Sequence, residues 1–343
     1  MSGLNPDRPF DSIVNFRDVG RTINKLAGRK RSLPQCPGMN RLSVSAPCSR
    51  WSNSRLQMLI GRHENQLDEA SEEDIRRLTS DLRVSTIVDL RSTTEHQMAV
   101  KKYKRAHNLP TESVDSQPQT GEGYIHLRPL DSTDIQRHLI SLTGKAFERH
   151  LLWRLDWWNF TKVLAYIAAG YRHDAVRIVG ENVMKPVGLT GLAMTTLEAS
   201  TAEIKQIFDI LASVKADMAA NTVTDSSTSA TGVLIHCTQG KDRTGLIILL
   251  LLLLTDAVDA ETMASEYVLS EEELENEPTE EKEERMREIR ALGLDEEYAR
   301  CPKDFTQRVT EFLTKRYGGV RKYSESVGVE EGIIESVKRR FLA

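Results

Sequence analysis

The stretch that decides the fold is Val233-Leu234-Ile235-His236-Cys237-Thr238-Gln239-Gly240-Lys241-Asp242-Arg243-Thr244-Gly245, which runs directly into the apolar segment Leu246 to Leu254. β-preferring residues feed a glycine-bearing loop and the loop opens a strongly apolar helix, so Cys237 is expected where a strand ends and a helix begins. Such a turn binds anions. Successive backbone N–H groups form a nest, and the first turn of the helix adds unpaired donors and the positive end of its dipole. The same field favours the thiolate of Cys237 as a nucleophile. Arg243 carries a planar fork that can hold two phosphoryl oxygens and follow them into a transition state spreading charge over the equatorial oxygens. Thr244 is placed to hydrogen-bond the sulfur. The plain alternative is a buried structural cysteine in a hairpin. A Walker-type nucleotide loop is excluded, because Ile235 stands where its first glycine belongs and Asp242 follows Gly240-Lys241 in place of Ser or Thr.

Cys237, five intervening residues and Arg243 resemble the cysteine-X5-arginine signature of protein tyrosine phosphatases. The fuller His-Cys-x-x-Gly-Lys-Asp-Arg-Thr-Gly is similar to that of tyrosine phosphatase family 3, a group including the mycobacterial tyrosine and lipid phosphatase B and many fungal proteins. Asn15-Phe16-Arg17-Asp18-Val19-Gly20 resembles the Asn-Phe-Arg-Asp-Leu-Gly stretch near the start of that family, and Asp89-Leu90-Arg91-Ser92 with Glu95 resembles its Asp-Leu-Arg-Ser-x-x-Glu.

The resemblance implies an α/β fold with a central, mainly parallel sheet flanked by helices, and a helical lid, here 151–184, inserted before the phosphate loop. It also implies hydrolysis of phosphate monoesters through a cysteinyl-phosphate intermediate, without a metal or other cofactor. Cys237 attacks phosphorus, Arg243 stabilises the transferring group, and Thr238, Gln239, Gly240, Lys241, Thr244 and Gly245 hold the phosphate. Asp242 matches the family's general acid; its alternative role is to orient Arg243 or the loop amides. The sequence has no Trp-Pro-Asp acid loop, and its Asp156-Trp157 pair falls in a predicted helix. His236, Asp89, Arg91, Arg17 and Asp18 are expected in support. His236 as a satisfied core histidine, Asp89 as a simple cap, and Arg17 with Asp18 as a surface ion pair are the alternatives.

With 343 residues, 39% hydrophobic and 28% charged, the chain fits a globular protein, read as a tail over 1–12 and one phosphatase domain over 13–343. A net charge of -4 argues against general nucleic-acid binding. Cys36, Cys48, Cys237 and Cys301 lack metal-type spacing, and a catalytic thiol needs a reducing compartment, so a cytoplasmic setting is expected. Met1 to Phe10 has no apolar signal-peptide core, and Leu246 to Leu254 is too short to span a bilayer. A phosphorylated protein carrying phosphotyrosine is the default substrate. Phosphoinositides or inositol pyrophosphates are alternatives, since Lys241 resembles phosphoinositide-handling relatives and adds a cation for a second phosphate. An inert phosphate-binding module is the reading from a different class.

From Arg21 to Arg62 the chain carries nine Lys or Arg and no Asp or Glu, compatible with a basic loop making peripheral membrane contact or with a solvated insert. The family pattern lapses after Pro37-Gly38-Met39, and 41–67 reads as an insertion, hypothetically a retained intron. Recovery of native peptides inside Trp51 to His63 would sink that idea. Ser71 to Leu82 is predicted as a capped amphipathic helix, Val84 to Leu90 as a buried parallel strand, and Tyr124 to Leu130 as a short strand. Ala146 to Ala169 carries Trp153, Trp157 and Trp158, spaced for core packing.

Overall fold

The computed structural model describes residue 10 and residues 15–32, 56–62, 70–106, 108, 134–214, 231–275 and 279–342. Its strands are β1 (Arg17–Asp18), β2 (Leu56–Arg62), β3 (Val84–Asp89), β4 (Gln136–Leu139) and β5 (Thr231–Cys237), joined in one sheet of order β1-β2-β5-β3-β4. β2, β5, β3 and β4 run parallel, and β1 is an antiparallel edge. β5 holds the middle because it alone reads as an unbroken apolar run: Val233, Leu234 and Ile235 are fully buried, as a strand covered on both faces requires. The register sets Cys237 opposite Arg62 and His236 opposite Asp89, so the strand ends that carry the motifs share one rim.

The helices are α1 (Val19–Ser32), α2 (Glu72–Arg76), α3 (Thr93–Ala106), α4 (Lys145–Leu152), α5 (Trp157–Ala168), α6 (Arg172–Val179), α7 (Lys185–Ala199), α8 (Thr201–Ser213), α9 (Asp242–Thr255), α10 (Ala260–Glu275), α11 (Thr279–Ala291), α12 (Phe305–Tyr317), α13 (Val320–Ser326) and α14 (Glu331–Leu342). The fold is α/β, with helices covering a small, mainly parallel sheet. α9 is apolar all round because it is enclosed by β5, α7, α10, α13 and α14. It ends at Asp256 in the left-handed conformation. Burying each leucine contributes about 1.5–3 kcal/mol, and Leu250→Ala would cost about 2–5 kcal/mol through the cavity it leaves. The helix carrying the phosphate loop is therefore held from every side.

α2 starts as predicted, with Ser71 Oγ accepting from Asp74 N at 3.1 Å. Three expectations need correction or fall outside view. The 41–67 stretch is not separable as one insertion, because Leu56–Arg62 is β2, hydrogen-bonded along β5; removing it would strip the central strand of a neighbour. The predicted strand Tyr124 to Leu130 and residues 41–55 and 63–67 lie outside the described residues. Trp153, Trp157 and Trp158 are not core: they are 75%, 72% and 75% exposed. Asp156 breaks the predicted helix there, since its side chain accepts from Trp158 N and Asn159 N, both at 3.0 Å, and starts a new helix, α5. β4 escaped sequence reading because Gln-Arg-His-Leu has no alternating apolar face; its pairing with β3 makes it a strand.

Candidate active site

β5 ends at Cys237 and α9 begins at Asp242, so 238–241 form the loop between them. Gly240 adopts φ +63, a backbone conformation that side chains resist, and its place in this tight turn follows from that. Cys237 is a free thiol in the wall of the core. Two carbonyls of the loop are fixed from outside: Asn15 Nδ2 donates to Gln239 O at 3.1 Å and to Gly240 O at 3.3 Å. Asn15 is itself held by Arg17, whose Nη1 donates to Asn15 Oδ1 at 2.6 Å while its Nε pairs with Glu266 of α10 at 2.7 Å. With those two carbonyls engaged by Asn15, the turn can offer its N–H groups to an anion.

Arg243 lies in the first turn of α9, and its fork is occupied by one carboxylate: Nη1 reaches Glu95 Oε2 at 2.7 Å and Nη2 reaches Glu95 Oε1 at 2.6 Å. Nη2 also donates to Thr238 Oγ1 at 3.2 Å, and the Thr238 hydroxyl donates to Glu95. Burial opposes ionisation of Glu95, but the Arg243 charge and the hydrogen bonds from Arg243, Thr238 and Ser92 outweigh it and hold the carboxyl far below its usual range. Burial likewise opposes the charge on Arg243, and Glu95 more than restores it. Glu95 is delivered by a capping box: Ser92 N donates to Glu95 Oε2 at 2.8 Å and Glu95 N to Ser92 Oγ at 3.2 Å at the start of α3. Glu95 stands outside the residues expected in the site, although Ser92-x-x-Glu95 just beyond a buried strand places it on the rim.

Asp89 ends β3 and collects cations beneath the loop. Arg91 Nη2 stands at 2.8 Å, Arg137 Nη2 at 2.7 Å and His236 Nε2 at 3.6 Å from its Oδ2. Its complete burial raises the cost of charge, yet Arg91, His236 and Arg137 together hold its pKa well below the ordinary value. Asp89 and Arg91 thus form a buried ion pair with the His236 ring beside it, and Leu90 N donates to His236 O at 2.8 Å.

Other residues stand differently from the expectation. Lys241 does not face a ligand: its ammonium is fully buried and donates to Tyr298 O at 3.0 Å and Arg300 O at 2.9 Å. The two carbonyls offset part of the hydration lost on burial, and their bonds tie the loop to the segment Tyr298–Arg300. Gly245 does not offer its N–H to phosphate, because that group donates to Lys241 O at 2.7 Å. Its glycine identity instead admits α10, since a Cβ would meet Tyr267 Cδ2 at 2.9 Å. Thr244 is buried and its hydroxyl has no hydrogen-bond partner among the described residues, so it does not bond the Cys237 sulfur here. Asp18 serves α1, accepting from Arg21 N at 3.1 Å, and makes no recorded bond to the loop. Asp242 keeps 35% of its side chain exposed, with Oδ1 3.6 Å from Lys241 Nζ. Burial first, and then the neighbouring Asp242 charge, push the Tyr267 hydroxyl well above its ordinary range.

The arrangement combines a thiol at a strand end, a loop whose carbonyls are tied back, a guanidinium aimed by a carboxylate, and a partly exposed acid one residue away. A family model described as tyrosine phosphatase family matches residues 61–343. A search of curated proteins returns no match.

Proposed function

From the premise that this chain belongs to the tyrosine phosphatase family, a family of phosphatase hydrolases, we propose that it cleaves phosphate monoesters through a covalent cysteinyl phosphate. Cys237 sulfur attacks phosphorus; the S–P bond forms as the P–O ester bond breaks, and Asp242 gives its proton to the departing oxygen. Water then attacks the same phosphorus, Asp242 recovers a proton from it, the S–P bond breaks, and thiolate and inorganic phosphate are released. Arg243 and the loop amides hold the equatorial oxygens in both steps. The observation carrying this reading is the Glu95 clamp. A guanidinium gripped by two bonds of 2.7 and 2.6 Å presents its remaining edge in a fixed direction.

Residues 13–343 act as one phosphatase domain in this reading, and phosphotyrosine in proteins is its default substrate. The phosphoinositide alternative loses one support, because Lys241 is spent on Tyr298 and Arg300 carbonyls. Phosphate release from phosphotyrosine peptides, phosphoinositides and inositol pyrophosphates tests it. Release from the peptides fastest is the expected result, and no release from any of them would leave only the inert phosphate-binding module.

A further inference from the structure

Apart from Met98 and Leu139, every large hydrophobic residue recorded as exposed among the described residues lies between Trp153 and Val176. These positions form the hairpin of α5 and α6. Val163 and Ala175 are the residues of the two helices that are buried. Trp157, Leu164 and Ile167 recur at helical spacing and mark one side of α5, whereas Trp158 and Tyr166 fall on other sides, Trp153 sits at the end of α4 ahead of the Asp156 break, and Tyr171 precedes α6. A partner helix would cover one seam. Exposure spread around the hairpin instead fits a medium that surrounds it.

The residue types name the medium. Trp and Tyr, with apolar bodies and polar tips, are the side chains that settle at the boundary between headgroups and acyl chains. Charge points the same way. Lys162 and Arg172 are exposed on the hairpin, Arg177 pairs with Glu181 at 2.8 Å, Asp156 is occupied as the cap of α5, and Asp174 is the remaining acid of α6. Counting Arg154, Lys162, Arg172 and Arg177 against Asp156, Asp174 and Glu181, the segment carries one net positive charge on a chain of net charge -4. No helix among the described residues is long and apolar enough to cross a membrane, so the element would lie in the interface and not span it.

We propose that the α5–α6 hairpin docks on the surface of an anionic phospholipid bilayer, with its aromatic rings at the headgroup boundary and Lys162 and Arg172 against lipid phosphates. The root of the hairpin is joined to the catalytic loop through one residue: the Tyr298 hydroxyl donates to Met184 O, and the Tyr298 backbone carbonyl accepts from Lys241 Nζ at 3.0 Å. The proposal concerns binding and does not depend on the catalytic reading.

The test is co-sedimentation of the full chain with vesicles of phosphatidylcholine alone and of phosphatidylcholine mixed with phosphatidylserine, with tryptophan emission followed in parallel. The chain is expected to sediment with the phosphatidylserine vesicles, to shift its emission to shorter wavelength, and to be released by salt. Trp153→Ser, Trp157→Ser and Trp158→Ser combined should lower the vesicle partition at least about tenfold, with an unchanged circular dichroism spectrum because all three rings are exposed. Lys162→Glu with Arg172→Glu, which leaves every ring in place, should lower it about fivefold or more per cation. Failure of the parent chain to sediment with phosphatidylserine vesicles would overturn the proposal, as would parent-level binding by both variants. So would a concentration-dependent dimer in analytical ultracentrifugation that the triple variant abolishes while vesicle binding is absent, which would make the hairpin an interface between two copies of the chain.

Discussion

Glu95→Gln isolates what the carboxylate does for Arg243. Glutamine keeps the shape and one acceptor oxygen, but it turns a donor toward the other nitrogen of the fork, so one of the two bonds at 2.7 and 2.6 Å is lost along with the charge. A hydrogen bond to a charged group contributes about 1.5–3 kcal/mol. The two side chains are 17% and 25% exposed, so solvent screens only part of the remaining Coulomb loss. The variant should be destabilised by about 2–3 kcal/mol, read as a lower urea midpoint with unchanged slope. Because misplacing a catalytic group by about 1 Å costs on the order of 10²-fold, kcat on an aryl phosphate should fall by about that factor. Affinity for vanadate should fall by no more than about threefold, since a guanidinium relieved of its carboxylate still attracts an oxyanion. The pH dependence has a definite sign. Glu95 is depressed from an ordinary value near 4.5, so its stabilisation is complete above that pH and is lost as pH falls through the lower folded-state value. The gap in stability between parent and variant should therefore narrow on acidification below about pH 4. A variant with the parental urea midpoint and kcat within about threefold of the parent would refute the clamp.

Three further substitutions separate roles within the loop. Asp242→Asn should slow hydrolysis of a poor alkyl leaving group by roughly 10²–10⁴-fold and that of an activated aryl phosphate far less; a uniform loss across leaving groups would move Asp242 to scaffolding. Lys241→Met removes the bonds to Tyr298 O and Arg300 O, and should cost about 1–3 kcal/mol in urea unfolding while lowering turnover of singly and multiply phosphorylated substrates alike. A loss confined to multiply phosphorylated substrates would contradict its buried placement. Asn15→Gly keeps the left-handed backbone at φ +52 and deletes only the amide that holds Gln239 and Gly240; kcat should drop by about tenfold or more as the loop carbonyls are released, and an unchanged kcat would show that the tether is dispensable.

The core of the fold was legible wherever a local pattern and its tertiary use coincide. Val233 to Leu254 reads as strand, turn and buried helix because each residue serves all three levels at once, and Val84 to Asp89 likewise. The placement of Cys237 at the end of β5, and of Asp242 and Arg243 in the first turn of α9, follows the strand-loop-helix pattern, whereas the acid role proposed for Asp242 rests on the family resemblance. What stayed hidden depends on contacts distant in sequence. Nothing in Gly-Lys-Asp shows that Lys241 folds back onto carbonyls fifty-seven and fifty-nine positions away, and nothing near residue 15 shows that its amide reaches across 224 positions to the loop. The tryptophans misled for a physical reason: an apolar aromatic spacing specifies an amphipathic surface, not what covers it. β2 was obscured because the stretch around it departs from the family pattern, although Leu56–Arg62 itself supplies the β-forming residues that β5 pairs with.

The central claim, a phosphoryl group carried on Cys237, is tested most directly by mixing the chain with an aryl phosphate, quenching in acid within the first turnover, and locating phosphate by peptide mass spectrometry. The account predicts phosphate on the peptide containing Cys237 and none on the peptide containing Cys301, whose thiol burial pushes up to about 12. In Cys237→Ser the adduct and turnover should both vanish while vanadate binding persists. Phosphate recovered on a different residue, or Cys237→Ser activity within about tenfold of the parent, would contradict it, because loss of a nucleophile costs orders of magnitude.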